Sequence, residues 1–179
     1  MKILVTGATG FVGKVLARKL VSLGHKVSVL TRDIESAQKR LPLLCEFHKW
    51  EPELYPPSSQ AFEHVDAVIH LAGENIADGR WTKKRKNSIK SSRVLSTRNL
   101  VSTLASMQNP PKIFISSSAV GFYGKNKPVE LYEDLDSGKD FLSNVCKEWE
   151  QEAFKAKDYN IRTVALRIGI VLGYEGGAM

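Results

Sequence analysis

The stretch KILVTGATGFVGKVLARKL, Lys2 to Leu20, decides the fold. Residues 2–6 are a short apolar run rich in β-formers. Val12, Val15, Leu16, Leu20 and Leu23 then recur at helical spacing, and Gly24 stops the pattern. Between strand and helix stand Gly7, Gly10 and Gly13. A dinucleotide-binding turn requires glycines at these places: the first makes the sharp turn, the second lets backbone approach a pyrophosphate, and the third lets the helix pack closely on the strand. The helix start then offers N–H groups and a partial positive charge to the phosphates.

Residues 26–31, KVSVLT, alternate like a second strand and end at Thr31-Arg32. An acidic residue at this place would accept bonds from the ribose hydroxyls of NAD(H) and repel a 2′-phosphate. A guanidinium can instead bind the phosphate through two hydrogen bonds. Arg32 therefore points to NADP(H), with Asp33 beside it as an opposing charge.

The alternation continues. The pattern predicts a polar helix over 33–40, a strand over 44–49, a loop enforced by Pro52, Pro56 and Pro57, and an apolar strand over 66–71. It then predicts a long helix over 83–107, ended by Pro110 and Pro111, and a strand over 112–118. A loop through Gly121, Gly124 and Pro128 leads to a helix over 139–156 with Phe141, Val145 and Trp149 on one face. A strand over 161–172 and a glycine-rich tail finish the chain. Strands that are almost continuously apolar, alternating with helices, predict an α/β domain with a doubly wound parallel sheet.

Length and composition fit one soluble globular domain: 179 residues, 42% hydrophobic, 25% charged. No stretch reaches the roughly 18 apolar residues of a membrane span. Gly7, Gly10 and Gly13 interrupt any signal-peptide core. Cys45 and Cys146 are too few for a disulfide framework and lack metal-ligand spacing, so both are expected to be buried free thiols, in keeping with a reducing cytoplasm and with no metal site. His70 is expected in the core, and His25, His48 and His64 form no constellation. The net charge is +7, and the eight Lys and Arg from Arg80 to Arg98 are interrupted by no acid. Such a run serves as a solvated helix face or contacts a phosphorylated ligand. Without a recognised nucleic-acid module or interleaved aromatics it argues against nucleic acid. Trp81 either anchors the helix that follows or lines a ligand cleft, whereas Trp149 reads as core.

TGATGFVG, joined to HLAG at 70–73 and SSSAVGFYG at 116–124, resembles the extended short-chain dehydrogenase/reductase superfamily. DAVIHLAGENIADGRWTKKRKNSIKSSR, FLSNVCKEWEQEA and LRIGIVLGYEGGAM narrow the resemblance to its atypical sugar-nucleotide epimerase-like branch, also labelled cell-division-inhibitor-like. The resemblance covers essentially the whole chain. It implies a Rossmann domain over 1–179, with the family's smaller C-terminal substrate domain absent from this sequence. It implies a phosphate loop of Gly7, Thr9, Gly10, Phe11, Val12 and Gly13. Thr31 and Arg32 would meet the adenosine end, and Leu71, Ala72 and Gly73 would run under the cofactor. Ser116 would lie near the nicotinamide-side ribose. Glu74 and Asn75 could bond cofactor or substrate, and Arg93 is the basic residue best placed for a cofactor phosphate.

Superfamily enzymes transfer hydride with a Ser-Tyr-Lys set. Ser118 falls at the serine position, with Ser117 a near alternative, and Lys147 falls on the expected helix. Ser143, however, stands where the tyrosine belongs, four residues before Lys147, and a serine hydroxyl is shorter and far less acidic than a phenol. Tyr123 could supply a phenol from another direction, or simply pack. Three readings stay open: an NADP(H)-dependent oxidoreductase or epimerase acting on a small phosphorylated substrate or nucleotide sugar, a non-catalytic NADP(H)-binding sensor or interaction protein, and a nucleic-acid binder.

Overall fold

The computed structural model describes residues 1–125, 130–173 and 176–177. Six strands form one parallel sheet: β1 (Lys2–Thr6), β2 (Lys26–Thr31), β3 (Cys45–Lys49), β4 (Ala67–His70), β5 (Ile113–Ala119) and β6 (Arg162–Ile168). Their order is β3-β2-β1-β4-β5-β6. Helices α1 (Phe11–Ser22) and α2 (Ile34–Arg40) return the chain on one face, and α3 (Lys83–Ser106) and α4 (Phe141–Phe154) on the other. The doubly wound parallel sheet is the arrangement predicted from the sequence. Its strand order reverses between β1 and β4, where such sheets open a crevice at their carboxyl ends.

Each face has its own core. Leu4, Val68 and Phe114 point toward α3 and α4 and meet Leu100, Leu104 and Ala153. Ile3, Val5, Val27 and Val29 point the other way and meet Ala17, Leu16 and Leu20. This is the period of two expected of a strand buried on both sides.

Two departures follow from packing. The periodicity puts Val15 and Leu23 on the inner stripe of α1, yet they are 62% and 59% exposed. The seam is instead Gly13 and Ala17, small residues that bring the helix axis close to β1. The last strand ends at Ile168 rather than residue 172, because β6 pairs only with β5 and that partner stops at Ala119. Leu172–Gly173 (β7) pairs antiparallel with Gly176–Gly177 (β8) instead.

Asp33, Thr82 and Asp140 cap α2, α3 and α4, each accepting from the backbone N–H three residues on. Cys146 is buried as expected, but Cys45, on the β3 edge strand, is only half-buried, and both thiols are free. Pro128 lies outside the described residues. Among the described residues no helix is long and apolar enough to cross a membrane.

Candidate functional site

The turn after β1 uses its three glycines differently. Gly7 has φ +68°, and a Cβ there would lie 2.7 Å from the carbonyl carbon of Leu71. A Cβ on Gly13 would lie 2.2 Å from the carbonyl oxygen of Gly7. Gly10 is exposed, and a Cβ there would meet only that same oxygen, at 3.2 Å. Gly7 and Gly13 are thus required by the protein's own packing, while Gly10 keeps an open backbone surface. Gly10 caps α1 with no side-chain bond. The Gly10 carbonyl accepts from Lys14 N–H at 3.0 Å, the first helical bond of the cap, so the amides of Phe11, Val12 and Gly13 precede it.

Beside this turn lies a cleft of about 220 Å³. Gly7, Thr9 and Gly10 line one side, and Thr31 and Arg32 the end of β2. Leu71, Ala72, Gly73 and Glu74 line it beyond β4. Asp33, the opposing charge beside Arg32, also caps α2: its Oδ1 accepts the Ser36 N–H at 3.0 Å. Leu30, Trp50, Pro52, Glu53 and Ser92 complete the lining. Leu30 comes with the end of β2, whereas nothing in the sequence marked Trp50, Pro52, Glu53 and Ser92, which reach the cleft through the segment after β3 and the packing of α3.

The segment after β4 is held at several points. Leu71 and Ala72 donate their N–H groups to Thr6 Oγ1 at 3.2 and 3.1 Å. Glu74 N–H donates to Ser92 Oγ at 3.1 Å, and Arg93 donates to Glu74 O at 2.8 Å. Arg85 bonds the Glu74 carboxylate and the Asn75 carbonyl.

Several expected contacts are placed elsewhere. Phe11 and Val12 line a neighbouring groove of about 850 Å³ with Val171 and Leu172, although their amides remain at the helix start. Arg93 is not a cleft residue. Its guanidinium packs beneath Gly73, bonds Ile89 O at 3.0 Å and lies 5.3 Å from the Trp149 ring centre. This burial lowers its pKa. Ser116 is buried, its hydroxyl donating to Ser117 O at 3.1 Å, because β5 turns it toward the α3–α4 side away from the turn.

None of the three catalytic candidates, Ser118, Tyr123 and Lys147, lines this cleft. Ser118 Oγ donates to Glu150 Oε1 at 2.6 Å. Arg167 grips both Glu150 oxygens, at 2.9 and 3.0 Å, and donates to the Tyr123 hydroxyl at 2.8 Å. The bonds to Glu150 raise the Arg167 pKa. The Tyr123 phenol is thus buried and directed at a guanidinium. Lys147 is exposed on α4. Ser143 is fully buried and bonds Gly121 O and Asp140 Oδ1, tying the start of α4 to the loop after β5. Glu150 and Arg167, which no motif marks in the sequence, pair with each other and between them hold Ser118 and Tyr123.

The basic run is used largely within the molecule. Arg85 pairs with Glu74, Lys90 with Glu148 and Arg98 with Glu152. Trp81 anchors the approach to α3: its Nε1–H donates to Ile76 O and its ring meets Phe141 edge-on.

Residues 3–178 match the family model for the NAD dependent epimerase/dehydratase family. The chain belongs to that family. It is 39% identical over 98% of its length to "Epimerase family protein YfhF" of Bacillus subtilis, covering 57% of that protein. It superposes on the crystal structure of human epimerase family protein SDR39U1 (isoform 2) with NADPH at TM-score 0.82 and 31% identity, covering all of this chain and 57% of that one. It is also similar to UDP-glucuronic acid 4-epimerase of Bacillus cereus in complex with UDP-glucuronic acid and NAD, with TM-score 0.77, 25% identity and coverage of 93% and 56%. The chain spans about half the length of the curated relatives it matches. Among such relatives the same fold carries NADPH or NAD.

Proposed function

We propose that this chain binds NADP(H) in the cleft beside the Gly7–Gly13 turn and forms the cofactor half of an oxidoreductase or epimerase acting on a nucleotide sugar. One observation carries the reading: Arg32 lines the same cleft as Gly7 and Gly10. A cation at the β2 end and an uncapped helix start at the other suit a dinucleotide bearing a 2′-phosphate. The backbone around Gly10 fits the pyrophosphate, since a side chain there would fill the open surface.

Bound there, the cofactor supplies hydride chemistry at its nicotinamide. This chain's contribution is binding and orientation. The amides of the turn and the α1 start hold phosphate oxygens, Arg32 selects the 2′-phosphate, and the braced Leu71–Glu74 backbone shapes the floor. Superposition on the human NADPH-bound structure and likeness to an epimerase bound to a UDP-sugar support cofactor and substrate class respectively.

A second reading, NADP(H) binding without hydride transfer, is favoured by Ser143, whose buried hydroxyl is already bonded in the place of the usual tyrosine. Titration with NADPH and NADH tests binding. Single-turnover absorbance with NADP⁺ or NADPH and UDP-sugars, in the longer protein, separates the two readings: nicotinamide redox change supports the enzyme, and tight binding without it supports the sensor.

A further inference from the structure

His70, at the end of β4, is wholly buried. Its ring lies near Trp50 and Phe114, and its two nitrogens are bonded to two threonines on different elements. Thr97 Oγ1 lies 2.6 Å from Arg93 O, a bond in which the hydroxyl must donate. It therefore accepts from His70 Nε2–H, at 2.9 Å. That fixes the tautomer and leaves Nδ1 as acceptor for the Thr6 hydroxyl at 2.7 Å. The Thr6 oxygen then has both lone pairs free for Ala72 N–H at 3.1 Å and for Leu71 N–H at 3.2 Å, the latter shared with the Thr6 carbonyl at 3.2 Å.

We infer that Thr6, His70 and Thr97 form a directional hydrogen-bond relay that carries the position of α3 to the Leu71–Ala72 backbone against Gly7, and so act as positioning residues for the cofactor floor. Every member has its hydrogen-bonding capacity matched, and Thr6, His70 and Thr97 are all 0% exposed. Such a saturated buried chain has one low-energy arrangement. Reversing any bond would leave a donor facing a donor. The relay also gives a role to the buried histidine that ends β4, which does not line the cleft. Thr6 and His70 sit opposite each other in the parallel register of β1 and β4, the pair flanking the crevice. The other end of the segment is fixed by α3 as well, through Ser92 and Arg93 to Glu74. Both ends of the floor thus answer to one helix.

The inference rests on the cofactor reading above for its consequence, though not for its geometry. The test uses Thr97→Val, at a residue with no hydrogen bond to the Leu71–Glu74 segment, with Thr97→Ser as the restoring variant. Amide exchange of Leu71 and Ala72 is followed relative to Val29 in the core, and NADPH and 2′-AMP are titrated in parallel. Thr97→Val should speed exchange at Ala72 about tenfold more than at Val29, with a smaller rise at Leu71, and weaken NADPH about tenfold. It should leave 2′-AMP, which reaches only the Arg32 end, within about twofold, and Thr97→Ser should restore both readings. Uniform acceleration of all amides, or no acceleration, overturns the relay. A wild-type protein silent toward NADPH overturns the cofactor reading instead, and exchange still decides the relay.

Discussion

Gly13 and Gly7 meet so closely that a Cβ on Gly13 would stand 2.2 Å from the Gly7 carbonyl oxygen. Backbone faces backbone there, so no side-chain movement can relieve the contact. Gly10 makes no comparable demand. Gly13→Ala should therefore cost about 2–3 kcal/mol of stability through overpacking, read as a lower urea midpoint. Gly10→Val should cost less, about 0.5–1 kcal/mol for the lost cap residue, and remove NADPH binding, because its side chain fills the ligand's space. If the two variants exchange phenotypes, the division of labour within the turn is wrong.

Arg32 is exposed at the β2 end of the cleft, and its neighbour Asp33 is committed to capping α2. Arg32→Ala should weaken NADPH by about 10- to 100-fold, the range of one or two charge-assisted bonds, and leave NADH nearly unchanged. Paired titrations of both nucleotides check this, and equal losses for the two would move the 2′-phosphate elsewhere.

Burial pushes the His70 imidazole down to about 3 from its ordinary 6.5, and its ring faces Thr6, Thr97, Trp50 and Phe114, none of them charged. The unfolded chain takes up this proton first. The group's contribution to stability is complete above about pH 6.5 and is lost as pH falls from there toward 3. Urea midpoints between pH 7 and 4 should decline more steeply for the wild type than for His70→Gln. Parallel slopes would show that the ring takes up its proton as readily in the folded protein as in the unfolded chain.

Glu150 is held by Arg167 and Ser118 in a buried network. Glu150→Ala leaves a guanidinium without its carboxylate and should cost about 3–5 kcal/mol. The double change Glu150→Leu with Arg167→Leu should recover part of that loss. Tyr123→Phe removes one bond, costs about 1 kcal/mol, and should leave NADPH affinity unaltered. A large fall in NADPH affinity for Tyr123→Phe would return the phenol to the cofactor site.

The alternation of apolar strands with helices, and the strand–glycine–helix unit at the start, made the doubly wound sheet legible from local pattern alone. So were Gly7, Gly10, Thr31 and Arg32 as neighbours, since the topology forces the ends of β1 and β2 together. What local pattern could not carry was side-chain direction. Arg93 and Arg32 look alike in sequence, but the curl of α3 sends Arg93 under Gly73 and onto Trp149. Ser118 faces Glu150 because of its parity on β5 and the register of β6. Thr6 and His70 stand 64 residues apart, and only the β1–β4 register makes them partners.

The most direct test is calorimetric titration of the folded chain with NADPH and with NADH, beside Gly10→Val. One site per chain for NADPH, at least about tenfold tighter than for NADH and lost in Gly10→Val, is the predicted result. No heat from either nucleotide, with a native circular dichroism spectrum, would contradict the account.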